Sequence, residues 1–195
     1  MITFVDQLEL FKVDVVSFSL SLPHNQISEY LLESSKTWNH YTTYHDQDLN
    51  KKVFENLPGI DKFVDTIKDC AKQYVSKTDR RQFKNNDDMS FLAWASVYDQ
   101  YDSHGSHIHN QSLIAGTYYP QANKDSSPLV LTAPWISRTM HDTIDRKRTE
   151  FRYKPVRGEC LMWPAWLNHH VPMQKNSDAK RIAISFNVDY IRYHS

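Results

Sequence analysis

Residues 107–120, HIHNQSLIAGTYYP, begin with two histidines one residue apart and continue into a short apolar and aromatic run. Similar runs recur from Phe91 onward, with polar or proline-containing connectors between them: FLAWASVYDQY, LIAGTYY, PLVLTA, GECLMW and KRIAISFNVDYIRY. Short segments of this composition, bounded by turn-forming residues, indicate β-strands. We therefore predict that the C-terminal half folds as a closed or double-sheet β unit.

The N-terminal half has a different pattern. Residues 7–22 are rich in β-branched and aromatic residues and predict one or two strands, which end at Pro23. A helix is predicted behind Asn25 as its N-cap, and a second helix after Pro58, where apolar residues recur at helical spacing. The polar segment 76–88 predicts a loop. Helices followed by strands indicate an α+β fold.

The length of 195 residues suits one domain, in which residues 1–90 support a β-barrel core at 91–195. Lysine plus arginine and aspartate plus glutamate number 23 each, so the net charge provides no general attraction to nucleic acid or to a membrane surface. The first residues lack the pattern of a signal peptide, and no apolar run is long enough to span a membrane. The two cysteines predict reduced thiols and a cytoplasmic location, while the oligomeric state is left open, a dimer included.

Two histidine clusters are candidates for a metal site. His107 and His109 point to the same face if they lie on a strand, although a solvent-exposed loop is the alternative for such a pair. His169 and His170 lie in the aromatic and apolar stretch WPAWLNHHVPM, where a buried imidazole needs a partner. One of these two points inward, either hydrogen-bonded to a backbone carbonyl or as a third metal ligand. We favour a metal ligand that completes a set with His107 and His109.

Arg181 begins the strand KRIAISFNVDY, which alternates into an apolar core. A solvent-exposed arginine at a strand end is the usual interpretation. Because Arg181 follows a candidate metal ligand by twelve residues, we predict instead that its charged group lies at the mouth of the same cavity.

The ordered elements His-x-His, AGTYYP, GECLMWPAWLNHHVP and RIAISFN resemble the 2-oxoglutarate/Fe(II)-dependent oxygenases, especially small members found in bacteria and phages. The resemblance covers roughly residues 90–190. It departs from the superfamily at His109, where a carboxylate usually completes a two-histidine, one-carboxylate triad. Either three histidines bind the metal here, or a carboxylate or a water takes the third place.

The resemblance implies a double-stranded β-helix, also called a jelly roll, with N-terminal flanking helices. It implies Fe(II) held by His107, His109 and His169, with 2-oxoglutarate and O2 as co-substrates. Arg181 would bind the distal carboxylate of 2-oxoglutarate through two hydrogen bonds. Tyr119 matches a tyrosine that contacts this carboxylate in related prolyl hydroxylases, and Tyr98 and Asn187 would line the pocket.

The substrate is not evident from the sequence, since related enzymes modify protein side chains, nucleobases and small metabolites. The polar insertion at 135–154 is either a solvated loop or a lid over the site. Two rival functions remain: a three-histidine, cupin-like Fe(II) dioxygenase that does not use 2-oxoglutarate, and a non-catalytic jelly roll with a structural metal. The resemblance to bacterial and phage proteins would place the protein in the cytoplasm of a bacterium or of a phage-infected host.

Overall fold

A computed structural model of the chain describes residues 13–78, 88–134, 149–175 and 180–191. Three helices and nine strands occur in these ranges: β1 (Val16–Ser19), α1 (His24–Ser35), α2 (Gln47–Glu55), α3 (Ile60–Thr78), β2 (Met89–Tyr98), β3 (His104–His107), β4 (Ile114–Gln121), β5 (Leu129–Thr132), β6 (Glu150–Tyr153), β7 (Glu159–Pro164), β8 (His169–Val171) and β9 (Arg181–Tyr190). Among the described helices, none is long and apolar enough to cross a membrane.

The strands form two sheets with the topology of a double-stranded β-helix. One sheet has the order β1-β7-β4-β9-β2 and the other β3-β8-β5-β6. Within them β2 pairs with β9, β3 with β8, β4 with β7 and β5 with β6, all antiparallel. The second half of the barrel thus returns along the first half in reverse order, as in a long hairpin wound into two sheets. The jelly roll implied by the resemblance is confirmed.

Strand alternation separates two apolar cores. On β9, Ile182, Ile184 and Phe186 face the core that the five-stranded sheet shares with the helices, whereas Ala183 faces the space between the sheets. Phe63 and Ile67 of α3 pack into the first core. Because successive strand residues point to opposite faces, one strand contributes to both cores. The polar site described below lies in the space between the sheets.

The helix predictions are confirmed in part. The helix after Pro58 is α3, and its buried residues follow the predicted helical spacing. Helix α1 exists, but Asn25 as its N-cap is wrong: the helix begins at His24, Pro23 is the N-cap residue, and no side chain caps the helix. Helix α2, where the side chain of Asp46 accepts a hydrogen bond from the backbone N–H of Leu49, was not predicted.

Three predicted segments differ in extent. Of the region 7–22, only β1 is a strand, and residues 7–12 lie outside the described residues. The loop was predicted to begin at residue 76, but α3 continues to Thr78. The insertion 135–154 was predicted without regular structure, yet its end forms β6 and pairs with β5. Residues 79–87 and 135–148 lie outside the described residues, so the lid stays a prediction.

Candidate metal and oxo-acid site

Three histidines converge at one end of the barrel. One ring nitrogen from each of His107, His109 and His169 lies within 4.8 Å of the other two, and this is the one group of metal-binding character among the described residues. His107 and His169 are directly opposite each other on β3 and β8, with ring centroids 4.2 Å apart. Nε2 of His109 lies 3.0 Å from Nε2 of His169. Three imidazoles at such distances can hold one transition-metal ion.

Backbone carbonyls orient two of these rings. Nδ1 of His107 lies 2.8 Å from the carbonyl oxygen of Gly105, and Nδ1 of His169 lies 2.9 Å from that of Leu167. A carbonyl accepts only, so each Nδ1 must carry the proton. Each Nε2 therefore keeps its lone pair and points toward the other histidines, which is the arrangement that metal-binding histidines show.

His109 reaches the cluster in a way that strand alternation does not explain. β3 ends at His107, so the two histidines do not lie together on a strand and the condition for a shared face is not met. The backbone N–H of His109 donates to the carbonyl of Ala165, and the ring of Trp94 stacks on the His109 ring at 5.6 Å. These contacts hold the side chain beside His169 after the strand has ended.

Burial holds the pKa of two of the clustered imidazoles, those of His169 and His109, below its usual value. It lowers the pKa of His169 to about 3, and the neighbouring histidines lower that pKa further, against a backbone hydrogen bond with Leu167 that raises it. Burial, with His107 and His104 nearby, lowers the pKa of His109 to about 4, while Asn187 acts in the opposite direction. Neutral imidazole is the form that binds a metal.

Arg181 is buried in the same cavity. Only 1% of its surface is exposed, so the alternative of a solvent-exposed strand end is excluded. The cavity wall includes Arg181 together with His107, His109 and His169. Nε and Nη1 of Arg181 have no hydrogen-bond partner among the described residues. A buried guanidinium is costly unless an anion or acceptor satisfies it, so the cavity is suited to an anionic group.

Two tyrosines surround this guanidinium. Tyr98 faces Arg181 across the β2–β9 pair, and the arginine Cζ lies 4.5 Å from the Tyr98 ring centroid and 5.1 Å from that of Tyr119. Cation–π contact stabilises the charge and fixes the plane of the guanidinium. The hydroxyl of Tyr119 is buried and also lacks a hydrogen-bond partner within the described part of the chain.

The remaining candidates are placed differently. Tyr98 lines the cavity, but Asn187 does not belong to its wall and lies beside His109. His170 is half-exposed next to the buried His169, so it points away from the cluster. His104 also lines the cavity. Sequence reasoning missed this position, together with Trp94, whose role depends on the loop that contains His109.

The sequence comparison finds a family model that matches the barrel. A family model described as "Putative 2OG-Fe(II) oxygenase" matches residues 92–187, which run from β2 to β9. These residues include the three histidines, Arg181, both tyrosines and Asn187. No curated protein matches the chain by sequence.

Solved structures show the same fold at low sequence identity. A prolyl-4-hydroxylase of Pseudomonas putida is 11% identical with a TM-score of 0.56, and the match covers 93% of this chain and 88% of that protein. HygX of Streptomyces hygroscopicus with iron bound is 8% identical with a TM-score of 0.56, and coverage is 93% and 84%. HygX with nickel and 2-oxoglutarate bound is 10% identical with a TM-score of 0.55 and the same coverage. An oxidoreductase of the 2OG-Fe(II) oxygenase family from Burkholderia pseudomallei is 9% identical, with a TM-score of 0.43. This match covers 62% of this chain and 54% of that protein.

Proposed function

Because residues 92–187 belong to the 2OG-Fe(II) oxygenase family, we propose that the protein is an Fe(II)- and 2-oxoglutarate-dependent oxygenase of the hydroxylase type. In this proposal the whole chain is one domain, in which residues 1–90 support the barrel. The reaction couples oxidative decarboxylation of 2-oxoglutarate, which yields succinate and CO2, to oxidation of a C–H bond in a substrate.

His107, His109 and His169 would hold Fe(II). The fit rests on their three converging ring nitrogens and on the two carbonyls that keep Nδ1 protonated on His107 and His169. Bound Fe(II) supplies the redox chemistry that activates O2 and cleaves the oxo acid. Three protein ligands leave further coordination positions for the co-substrates. The histidines fix the position of the metal, and Trp94 and the buried Trp163 exclude water around His109 and His169.

The buried guanidinium of Arg181 is the single observation that carries the 2-oxoglutarate assignment. Two of its donor nitrogens have no partner among the described residues, although the side chain is 1% exposed. The distal carboxylate of 2-oxoglutarate would accept charge-assisted hydrogen bonds from the planar guanidinium group. The Tyr119 hydroxyl would donate to the same carboxylate, and Tyr98 would hold the guanidinium from its other side.

Asn187 would orient His109 rather than contact the co-substrate. Its side chain lies next to the His109 ring, and its Oδ1 is buried without a partner among the described residues. An acceptor at this position would take the proton of Nδ1, as Gly105 does for His107. All three metal-binding histidines would then be held by an acceptor behind the ring.

The class of substrate is not determined and includes protein side chains, nucleobases and small metabolites. The two cysteines are free thiols, which supports a cytoplasmic location in a bacterium or in a phage-infected host. The rival supported by an observation is a three-histidine dioxygenase that uses Fe(II) and O2 without 2-oxoglutarate, because His109 replaces the usual carboxylate. Arg181 favours the 2-oxoglutarate function over this rival, because its buried guanidinium offers a site for the distal carboxylate of the oxo acid.

Succinate release separates the two functions. The protein is incubated with Fe(II), ascorbate, O2 and 2-oxoglutarate, and succinate is measured with time. The proposal predicts slow succinate formation without added substrate that requires both Fe(II) and 2-oxoglutarate and is lost in His169→Ala. Absence of succinate in protein that retains Fe(II), with O2 consumption independent of 2-oxoglutarate, would support the rival.

A further inference from the structure

A fourth imidazole, that of His104, lines the same cavity as the three clustered histidines and Arg181. His104 lines the cavity wall, and its ring centroid is 4.5 Å from that of His107. It is not one of the three residues whose nitrogens converge. Its position at the start of β3 brings it near the guanidinium, which contributes to its electrostatic environment. A molecule bound in this cavity is therefore within reach of His104.

Tyr41 holds this imidazole from behind. The Tyr41 hydroxyl oxygen lies 2.9 Å from Nδ1 of His104. Tyr41 belongs to the segment between α1 and α2, outside the family match, yet it is fixed to the barrel. Its carbonyl accepts a hydrogen bond from the backbone N–H of Val97 at 2.8 Å, and its ring packs on Tyr98 with a centroid distance of 4.9 Å.

The Tyr41 contact determines which nitrogen of His104 carries the proton. A neutral imidazole has one N–H and one lone pair, and a phenol has one hydrogen to donate. Burial raises the pKa of the Tyr41 hydroxyl to about 12, so the phenol keeps its hydrogen and can donate it to Nδ1. The proton of His104 is then on Nε2, which faces away from Tyr41.

We propose that His104, held in this tautomer by Tyr41, donates its Nε2–H to an anionic oxygen of the bound 2-oxo acid. His104 is thus a co-substrate-binding residue, and Tyr41 is a positioning residue that acts through it. The inference rests on the proposed function, because it assigns a contact to the co-substrate of that site. It also explains why a histidine can lie against His107 without being a ligand: the Nε2 lone pair that a metal needs is absent from this tautomer.

Variants at His104 separate hydrogen-bond donation from packing and from metal binding. His104→Leu removes the donor, whereas His104→Gln keeps an amide N–H near the position of Nε2. Titration of 2-oxoglutarate into the Mn(II)-loaded protein gives the affinity, and metal analysis gives the Mn(II) content. We expect full Mn(II) in both variants, about tenfold weaker 2-oxoglutarate binding in His104→Leu, and affinity close to wild type in His104→Gln. His170→Gln is the matched control, because it changes a neighbouring histidine outside the cavity.

The tautomer itself is measured without the co-substrate. Long-range ¹H–¹⁵N spectra of histidine-labelled protein in the diamagnetic Zn(II) form distinguish Nε2–H from Nδ1–H. We expect His104 as Nε2–H in wild type and a mixture of tautomers in Tyr41→Phe, together with a few-fold loss of 2-oxoglutarate affinity in that variant.

Each other outcome overturns a defined part of the account. Wild type that binds Mn(II) but no 2-oxoglutarate overturns the proposed function and the inference with it. Wild type that binds 2-oxoglutarate no better than His104→Leu overturns the inference alone. Loss of Mn(II) in His104→Leu makes His104 a ligand, and an Nδ1–H signal for wild-type His104 reverses the direction of the Tyr41 hydrogen bond; either result contradicts the inference.

Discussion

Nε2 of His109 lies 3.0 Å from Nε2 of His169, and the two imidazole planes are within 5° of parallel. Because Nδ1 of His169 donates to the Leu167 carbonyl, the His169 Nε2 holds a lone pair. If Nδ1 of His109 is protonated as well, two lone pairs face each other and repel unless a cation lies next to both. In that tautomer the pair is suited to a metal ion, and in the proposed function His107 would be the third ligand.

Metal binding is predicted to depend on His107 and His169. His107→Ala or His169→Ala leaves two imidazoles, which hold a divalent ion weakly. We expect wild type to bind about one Mn(II) per chain and both variants to lose it in equilibrium dialysis with metal analysis. His170→Gln should keep the metal, because this residue points away from the cluster. If both alanine variants keep full Mn(II), the ligand assignment is wrong.

His109→Asp is predicted to retain the metal. The substitution restores the carboxylate that the superfamily usually has at this position, and a carboxylate oxygen is a good ligand for Fe(II) and Mn(II). His109→Leu is the matched control, since it removes the ligand atom and leaves a side chain of similar size to pack on Trp94. Equal loss of Mn(II) in both variants would show that the position requires an imidazole.

Arg181 is predicted to bind the co-substrate and not the metal. Removal of one partner of a buried ion pair costs about 3–5 kcal/mol, so Arg181→Ala should weaken 2-oxoglutarate binding by roughly a hundredfold or more. Arg181→Lys should recover part of the affinity, since an ammonium group lacks the planar fork. Arg181→Met keeps much of the packing between Tyr98 and Tyr119 without the charge, so it should fold and bind as poorly as Arg181→Ala.

Titration of 2-oxoglutarate into the Mn(II) forms measures these affinities. Arg152→Ala serves as the arginine control, because Arg152 is exposed and paired with Glu150 on β6. Unchanged affinity in Arg181→Met, with metal retained, would make Arg181 a structural residue.

Gly116→Ala is predicted to destabilise the barrel. A Cβ at Gly116 would lie 2.2 Å from the ring of Phe186 and 2.9 Å from the Leu161 carbonyl oxygen, so β4 and β9 would have to shift. Overpacking of this kind typically costs about 1–3 kcal/mol of unfolding free energy. Gly105→Ala is the control, because an added Cβ there meets nothing within 4 Å. The melting temperatures of the two variants are measured by thermal unfolding, and that of Gly116→Ala should be the lower. Equal melting temperatures would contradict the predicted clash.

The sequence predicted those elements whose apolar pattern is strong. Helix α3 has five buried residues at helical spacing, whereas α2 buries only Val53, so its pattern is too weak to detect. β6 is an edge strand with no fully buried residue, so its sequence lacks an apolar pattern and resembles the polar insertion before it. The general site was predicted because histidines and an arginine are unusual in apolar stretches.

The positions that were missed depend on distant contacts. Tyr41 and His104 are 63 residues apart, and their hydrogen bond results from the segment before α2 packing along β2. Likewise, His109 reaches the cluster through a loop that bonds to Ala165 and packs on Trp94. Local periodicity contains no information about either pairing, so only the folded chain identifies them.

In the proposed function, the three histidines would hold Fe(II) and Arg181 would bind the distal carboxylate of 2-oxoglutarate. Anaerobic absorption spectroscopy of the protein with Fe(II) and 2-oxoglutarate tests this most directly. We expect a weak visible charge-transfer band that requires both Fe(II) and 2-oxoglutarate, is absent in His169→Ala, and appears in Arg181→Met only at a much higher 2-oxoglutarate concentration. Protein that binds Fe(II) fully but develops no such band with a large excess of 2-oxoglutarate would contradict it.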